Sequence, residues 1–245
     1  MGLEIRPVPI LSDNYAWLLR DPASQALAIV DPAELAPVLA AIEQAEAIGG
    51  RLSLILLTHH HADHIDAAEA VRERTGAAIV GAGADLGRLP RLDRAVAEGD
   101  AVALGDSIAQ VIETPGHTRG HISYFFAATP AVFCGDTLFS LGCGRLLEGS
   151  PAEMFESMRR LASLPPETLV CCGHEYTEAN ARFAVAALSS NPAIAERAAE
   201  VAALRRAGKP TVPVRLELEQ ETNPFLLAPD LSEFTRLRSW KDRFR

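Results

Sequence analysis

Short apolar runs alternate with turn residues and amphipathic stretches over the first two thirds of the chain. The runs predict strands over residues 3–9, 15–20, 27–30, 52–58, 78–80, 108–113, 123–126, 131–134 and 168–172. Helical spacing of apolar positions appears between them, near 34–47 and 64–75. Ser150-Pro151-Ala152-Glu153 opens another helix, with serine as cap, proline in the first turn and glutamate three residues after the cap. Strands and helices interleaved in this way predict a layered α/β domain.

After His174 the pattern changes. Residues 177–189 are alanine-rich and helix-prone. Asn191-Pro192 then restarts a helix through "AIAERAAEVAALRRA" that stops at Gly208. A proline-interrupted, strand-poor stretch follows, and Asp230-Leu231-Ser232-Glu233 opens a last helix. This places a domain boundary near residue 173, giving 1–173 and 174–245.

Composition narrows the class. A chain of 245 residues with 48% hydrophobic content can bury a substantial core. No apolar stretch approaches the roughly 18 residues needed to span a bilayer. The start, Met1-Gly2-Leu3-Glu4-Ile5-Arg6, lacks the look of a secretory or transit signal. A cytoplasmic protein without a membrane partner is expected. The net charge of −9 argues against nucleic acid as a partner. Only the tail runs the other way: Arg236, Arg238, Lys241, Arg243 and Arg245 face the single acid Asp242 and form a candidate anion site. The four cysteines, Cys134, Cys143, Cys171 and Cys172, make no CxxC pair. Cys134, Cys171 and Cys172 read as small buried hydrophobes, and Cys143 sits in the glycine-rich "LGCGR".

The histidines carry the chemistry. All seven lie where apolar runs hand over to loops: His59, His60, His61, His64, His117, His121 and His174. Ligands and catalytic groups are carried on such loops, positioned by a rigid scaffold. In an extended exit from a strand, His59 and His61 point one way and His60 the other. Asp63 and His64 start the next helix and approach from a second direction, so one segment can feed two neighbouring metal ions. A single structural zinc closes its shell with four ligands. The run from His59 to His64, with three further carriers downstream, exceeds one shell. Those carriers are "TPGHTRGH", "CGDTLF" and "CGHEYT", each an apolar strand, a glycine and then a ligand-type residue. The carboxylate of Asp136 has two oxygens and can bridge two metals.

"THHHADH", followed by His117, Asp136 and His174, resembles the HxHxDH signature and later ligands of the metallo-β-lactamase superfamily. The resemblance implies an αββα sandwich with the metals at one edge of its two sheets. It also implies His59, His61 and His117 on one metal, Asp63, His64 and His174 on a second, and Asp136 between them. His60 and His121 match no ligand position. Mixed nitrogen and oxygen donors suit two divalent ions, zinc first, with iron and manganese as alternatives.

The chain further resembles the glyoxalase II (hydroxyacylglutathione hydrolase) family. The resemblance is carried by "DNY", "GCGR", "GHEYTEAN", "TVP", "NPF" and "RSWKDRF", nearly from end to end. It implies a smaller helical C-terminal domain that binds glutathione, and a monomer acting on a small-molecule glutathione thioester. Two metals roughly 3.5–4 Å apart can generate hydroxide near neutral pH and polarise a carbonyl, which suits thioester hydrolysis. Asp63 and Asp136 are then both ligands and catalytic residues. Arg238 and Lys241, three apart, can share a helix face and bind glutathione carboxylates. The resemblance also puts Arg145, Tyr176 and Asn180 on glutathione, with Arg145 where relatives often have lysine. Leu147 departs from the pattern, standing where many relatives have tyrosine.

Three other readings compete. A mononuclear iron persulfide dioxygenase uses the same signature but usually lacks the helical extension. An antibiotic-cleaving lactamase is disfavoured by the basic tail and by the lack of an export signal. A scaffold with decayed chemistry is disfavoured because all seven ligand positions hold competent residues.

Overall fold

The computed structural model describes residues 2–244. Arg245 of the basic tail lies outside the described residues. The chain forms two compact units, Met1–Glu113 with Gly120–Gly135, and Thr114–Arg119 with Asp136–Arg245.

The first unit carries strands β1 (Glu4–Ile10), β2 (Asn14–Arg20), β3 (Ala26–Val30), β4 (Arg51–Leu56), β5 (Ala78–Ala82) and β6 (Arg94–Val96), which form one sheet in that order. β1, β2 and β3 pair antiparallel, and β3 to β6 pair parallel. Parallel neighbours need crossovers. Helix α1 (Leu35–Glu46) supplies the one from β3 to β4. The short α2 (Ala62–Ile65) and α3 (Ala68–Thr75) supply the next. Val38 and Ile42 of α1 and Val71 of α3 pack with Leu27, Ile29, Ile55 and Ile79 in one buried cluster.

Four antiparallel strands make the second layer of this unit: β7 (Ala101–Leu104), β8 (Ser107–Glu113), β9 (Ile122–Phe126) and β10 (Ala131–Gly135). The layers are tied by specific contacts. The Trp17 ring meets Phe133 edge-on at 6.2 Å, and the buried Tyr124 hydroxyl donates to Leu57 O at 3.0 Å and Val80 O at 3.3 Å. Asp21 at the end of β2 accepts from the backbone N–H of Asp106 and Ser107 in the β7–β8 turn.

The second unit holds β11 (Leu138–Phe139) and β12 (Gly142–Cys143), α4 (Pro151–Ala162), β13 (Leu169–Cys172), α5 (Thr177–Ala187), α6 (Pro192–Arg206), β14 (Val214–Arg215), α7 (Leu216–Thr222) and α8 (Leu231–Lys241). Both halves of the expected capping box on α4 form, Glu153 N donating to Ser150 Oγ and Ser150 N to Glu153 Oε2. Asn191 caps α6 by accepting from Ala193 N. Phe183 stacks on Phe225 and meets Trp240 and Phe244 edge-on, and Phe225 meets Phe234, so α5 and α8 share an aromatic core.

The structure adds elements that periodicity did not predict. β6, β7 and β14 are two to four residues long, too short to display a period. The proline-interrupted, strand-poor stretch after Gly208 contains α7. The helix expected over 64–75 is broken at Asp66-Ala67, because Ala67 N donates to Pro32 O instead of continuing the helical ladder. All four cysteines are buried, Cys143 among them.

Candidate metal centre

The expected ligands divide between the units, His59, His61, Asp63 and His64 in the first, His117, Asp136 and His174 in the second. In the first unit the segment after β4 leaves the sheet extended and turns into α2, as the spacing predicts. His59 Nε2 and His61 Nδ1 are 3.1 Å apart. His60 points elsewhere and pairs through Nδ1 with Asp85 Oδ2 at 2.9 Å. His121 stacks on the His59 ring at 4.8 Å.

Hydrogen bonds behind the rings fix which nitrogen faces a metal. Thr58 donates through Oγ1 to Asp31 Oδ2 at 2.7 Å, so its oxygen is left to accept from His59 Nδ1 at 3.0 Å. His64 donates through Nδ1 to Asp31 Oδ2 at 3.0 Å. Asp31 Oδ1 accepts from Thr58 N. The proton of each imidazole is thereby held on Nδ1, and Nε2 of His59 and His64 presents a lone pair. Partners of this kind orient metal-binding histidines and raise their basicity. Asn14 Nδ2 donates to both the backbone and the carboxylate oxygen of Asp63 at 3.1 Å.

In the second unit Asp136 Oδ2 lies 3.4 Å from His117 Nε2 and 3.4 Å from His174 Nε2. His117 donates through Nδ1 to Arg145 O at 2.7 Å, which turns its Nε2 toward the carboxylate. The His174 ring stacks on Tyr176 at 4.5 Å, and both meet Phe139 edge-on.

Two glycines make these approaches possible. Gly135 has φ +44°, and a Cβ there would come within 2.4 Å of Thr58 Oγ1. A Cβ on Gly144 would meet Asp136 O at 1.8 Å.

The donor set fits divalent ions. Imidazole nitrogens and carboxylate oxygens converge within each unit, with tautomers set by neighbouring oxygens, a combination suited to zinc, iron or manganese.

The residues expected on glutathione all lie in the second unit. Arg145 is exposed, and Tyr176 is 38% exposed. Lys241 is half-buried; its Nζ donates to Ala179 O at 3.1 Å and lies over the Phe183 ring. Burial, with help from Arg238 and Arg182, lowers its pKa to about 8. Asn180 and Arg238 are buried instead. Asn180 Nδ2 donates to Ser140 O, while Arg238 donates through Nη1 to Cys143 O at 2.8 Å and through Nη2 to Asp242 Oδ1 at 2.8 Å. The face expected to be shared by Arg238 and Lys241 is therefore split, one cation turned into the protein and one left at its surface.

Residues 11–174 match the metallo-β-lactamase superfamily, and residues 175–244 match the hydroxyacylglutathione hydrolase C-terminus. The hydroxyacylglutathione hydrolase of Acidiphilium cryptum (strain JF-5) is 55% identical over 243 residues, covering 99% of this chain and 98% of its own length. The chain belongs to the hydroxyacylglutathione hydrolase family. The Methylococcus capsulatus (strain Bath) enzyme of that name is 46% identical, covering 99% of both chains. Among solved structures, ETHE1 from Myxococcus xanthus superposes with a TM-score of 0.73 at 29% identity, covering 96% of this chain and 90% of its own. TTHA1623, solved in a di-iron-bound form, gives 0.64 at 28% identity, covering 90% of this chain and 100% of its own. The fold is thus the metallo-β-lactamase fold, followed by the helical C-terminal part of hydroxyacylglutathione hydrolases, and its histidine and aspartate groups are those of a divalent-metal site.

Asp31, Thr58 and Asn14 hydrogen-bond the expected ligands and were not among the site residues expected from sequence. Asp31 carried a signal, an apolar strand ending in a carboxylate, the same one that marks Asp136.

Proposed function

We propose that the protein hydrolyses the thioester of S-(2-hydroxyacyl)glutathione, S-lactoylglutathione first, to glutathione and a 2-hydroxy acid, the second step of methylglyoxal detoxification. The full-length similarity to hydroxyacylglutathione hydrolases carries the reading, because it spans the metal signature and the C-terminal part together.

Two divalent ions, zinc first, would be held by His59, His61 and His117 and by Asp63, His64 and His174, with Asp136 available to both. Ions bound there would supply Lewis acidity, bringing the pKa of water toward neutrality and polarising the thioester carbonyl. Asp31 and Thr58 hold His59 and His64 in the tautomer that presents Nε2, and Asn14 orients Asp63. Arg145, Tyr176 and Lys241 present exposed or half-exposed groups for the glutathione part, while Asn180 and Arg238 hold the wall behind them. The leaving group is a thiolate, so no strong general acid is required of the chain.

Residues 1–173 are the catalytic part and 174–245 the glutathione-binding part of this reading, and the protein acts as a cytoplasmic monomer. No helix among the described residues is long and apolar enough to cross a membrane.

The test is thioester loss from S-lactoylglutathione with purified protein, before and after chelator treatment. Rapid hydrolysis abolished by chelation is expected. No hydrolysis by protein confirmed to hold two metals would overturn the substrate assignment.

A further inference from the structure

Helix α7 turns an acidic residue inward. Glu219 is fully buried, and its carboxylate accepts from Ser140 Oγ at 2.8 Å, Leu141 N at 2.7 Å and Asn223 Nδ2 at 3.0 Å. The same Asn223 amide donates to Phe139 O at 3.1 Å and Gly142 O at 3.0 Å. Asn180 Nδ2 donates to Ser140 O. Three side chains from two helices and the turn after α7 therefore hold the four residues that turn β11 into β12. Leu141 needs such support, because its φ of +57° is uncommon for a residue with a side chain.

A buried carboxylate is a poor device for stability alone, since apolar residues of similar volume often serve as well. What it provides here is placement. The turn lies between Asp136 and Arg145. Its Phe139 packs edge-on against Tyr176 and His174. Just beyond it, the Cys143 carbonyl takes Arg238 and the Arg145 carbonyl takes His117.

We propose that Glu219 is a positioning residue for recognition of the glutathione half of the substrate, acting through Ser140, Leu141 and Asn223 to set the Phe139–Tyr176 wall and the Arg145 loop. This rests on the glutathione-thioester reading above.

Two substrates separate placement from stability: S-lactoylglutathione, and the S-lactoyl thioester of N-acetylcysteamine, which has no glutathione part. Glu219→Leu is expected to raise KM for S-lactoylglutathione about tenfold and kcat/KM for the small thioester to fall less than about twofold, with metal content retained. Glu219→Gln rescues, because its amide oxygen accepts from Leu141 and Asn223 while its NH2 donates to Ser140 Oγ. Ser140→Ala, which keeps the carboxylate, gives a smaller KM rise in the same direction and decides the matter if Glu219→Leu does not fold. Equal losses on both substrates, or an unchanged KM in a folded Glu219→Leu or Ser140→Ala protein, would overturn the inference. Failure of the wild-type protein to prefer the glutathione thioester would instead sink the functional reading beneath it, with no variant involved.

Discussion

Asp31 Oδ2 lies 3.0 Å from His64 Nδ1, with both side chains buried. The same oxygen accepts from Thr58, whose hydroxyl faces His59. One carboxylate thus sets the ring orientation of two of the proposed metal ligands. Asp31→Ala is expected to lower metal affinity or turnover about 10–100-fold, the usual effect of losing such a partner. Metal content after dialysis, measured beside kcat/KM, checks this; a variant normal in both would remove Asp31 from the site.

Asp136 presents one oxygen to both His117 and His174 at 3.4 Å. A residue shared by two sets of donors should not be separable from either. Asp136→Ala is therefore expected to lose bound metal and activity together. A variant that kept two ions and full turnover would contradict the shared role.

Lys241 is expected to give substrate binding a pH dependence. Its pKa of about 8, lowered chiefly by burial and then by Arg238 and Arg182, leaves it charged below pH 8 and neutral above. If the ammonium holds a glutathione carboxylate, KM for S-lactoylglutathione rises as pH passes 8 while kcat changes little. Lys241→Arg keeps its charge and should keep KM flat to higher pH, and Lys241→Met should raise KM below pH 8 and abolish the limb. The measurement is a KM profile corrected for uncatalysed hydrolysis, and a wild-type profile flat through pH 9 would count against the contact.

The candidate ligands were legible in the sequence because each follows closely on a short apolar strand, a local signal. What supports them was not, because the support is distant along the chain. Asp31 and His64 are 33 residues apart, and no spacing relates them. Glu219 sits in "LELEQET", where nothing local marks which of its carboxylates packing turns inward. Arg238 reads as part of an exposed basic tail, yet its guanidinium reaches a carbonyl 95 residues earlier. The longer strands were legible from their apolar pattern, and β6, β7, β11, β12 and β14, two to four residues long, were not.

Tyr124 tests the tie between the two layers of the first unit. Its hydroxyl donates to Leu57 O, the residue before Thr58, and to Val80 O, and its side chain is fully buried. Tyr124→Phe keeps the ring and leaves two carbonyls without that donor. A loss of about 1–2 kcal/mol in unfolding free energy is expected. Chemical denaturation of both proteins measures it; equal midpoints would mean the hydroxyl contributes nothing.

Leu147 is the one departure from the family pattern that the chain itself can repair. It is 57% exposed, and its backbone N–H donates to His117 O at 3.3 Å, so the position adjoins the Arg145 loop without belonging to the core. A tyrosine there loses no buried packing and regains the hydroxyl that the resemblance assigns to glutathione. Leu147→Tyr is expected to lower KM for S-lactoylglutathione roughly threefold, the return on one hydrogen bond worth about 0.7 kcal/mol. The N-acetylcysteamine thioester should show no such gain. An unchanged KM would mean that Arg145, Tyr176 and Lys241 already supply the recognition that the tyrosine gives elsewhere.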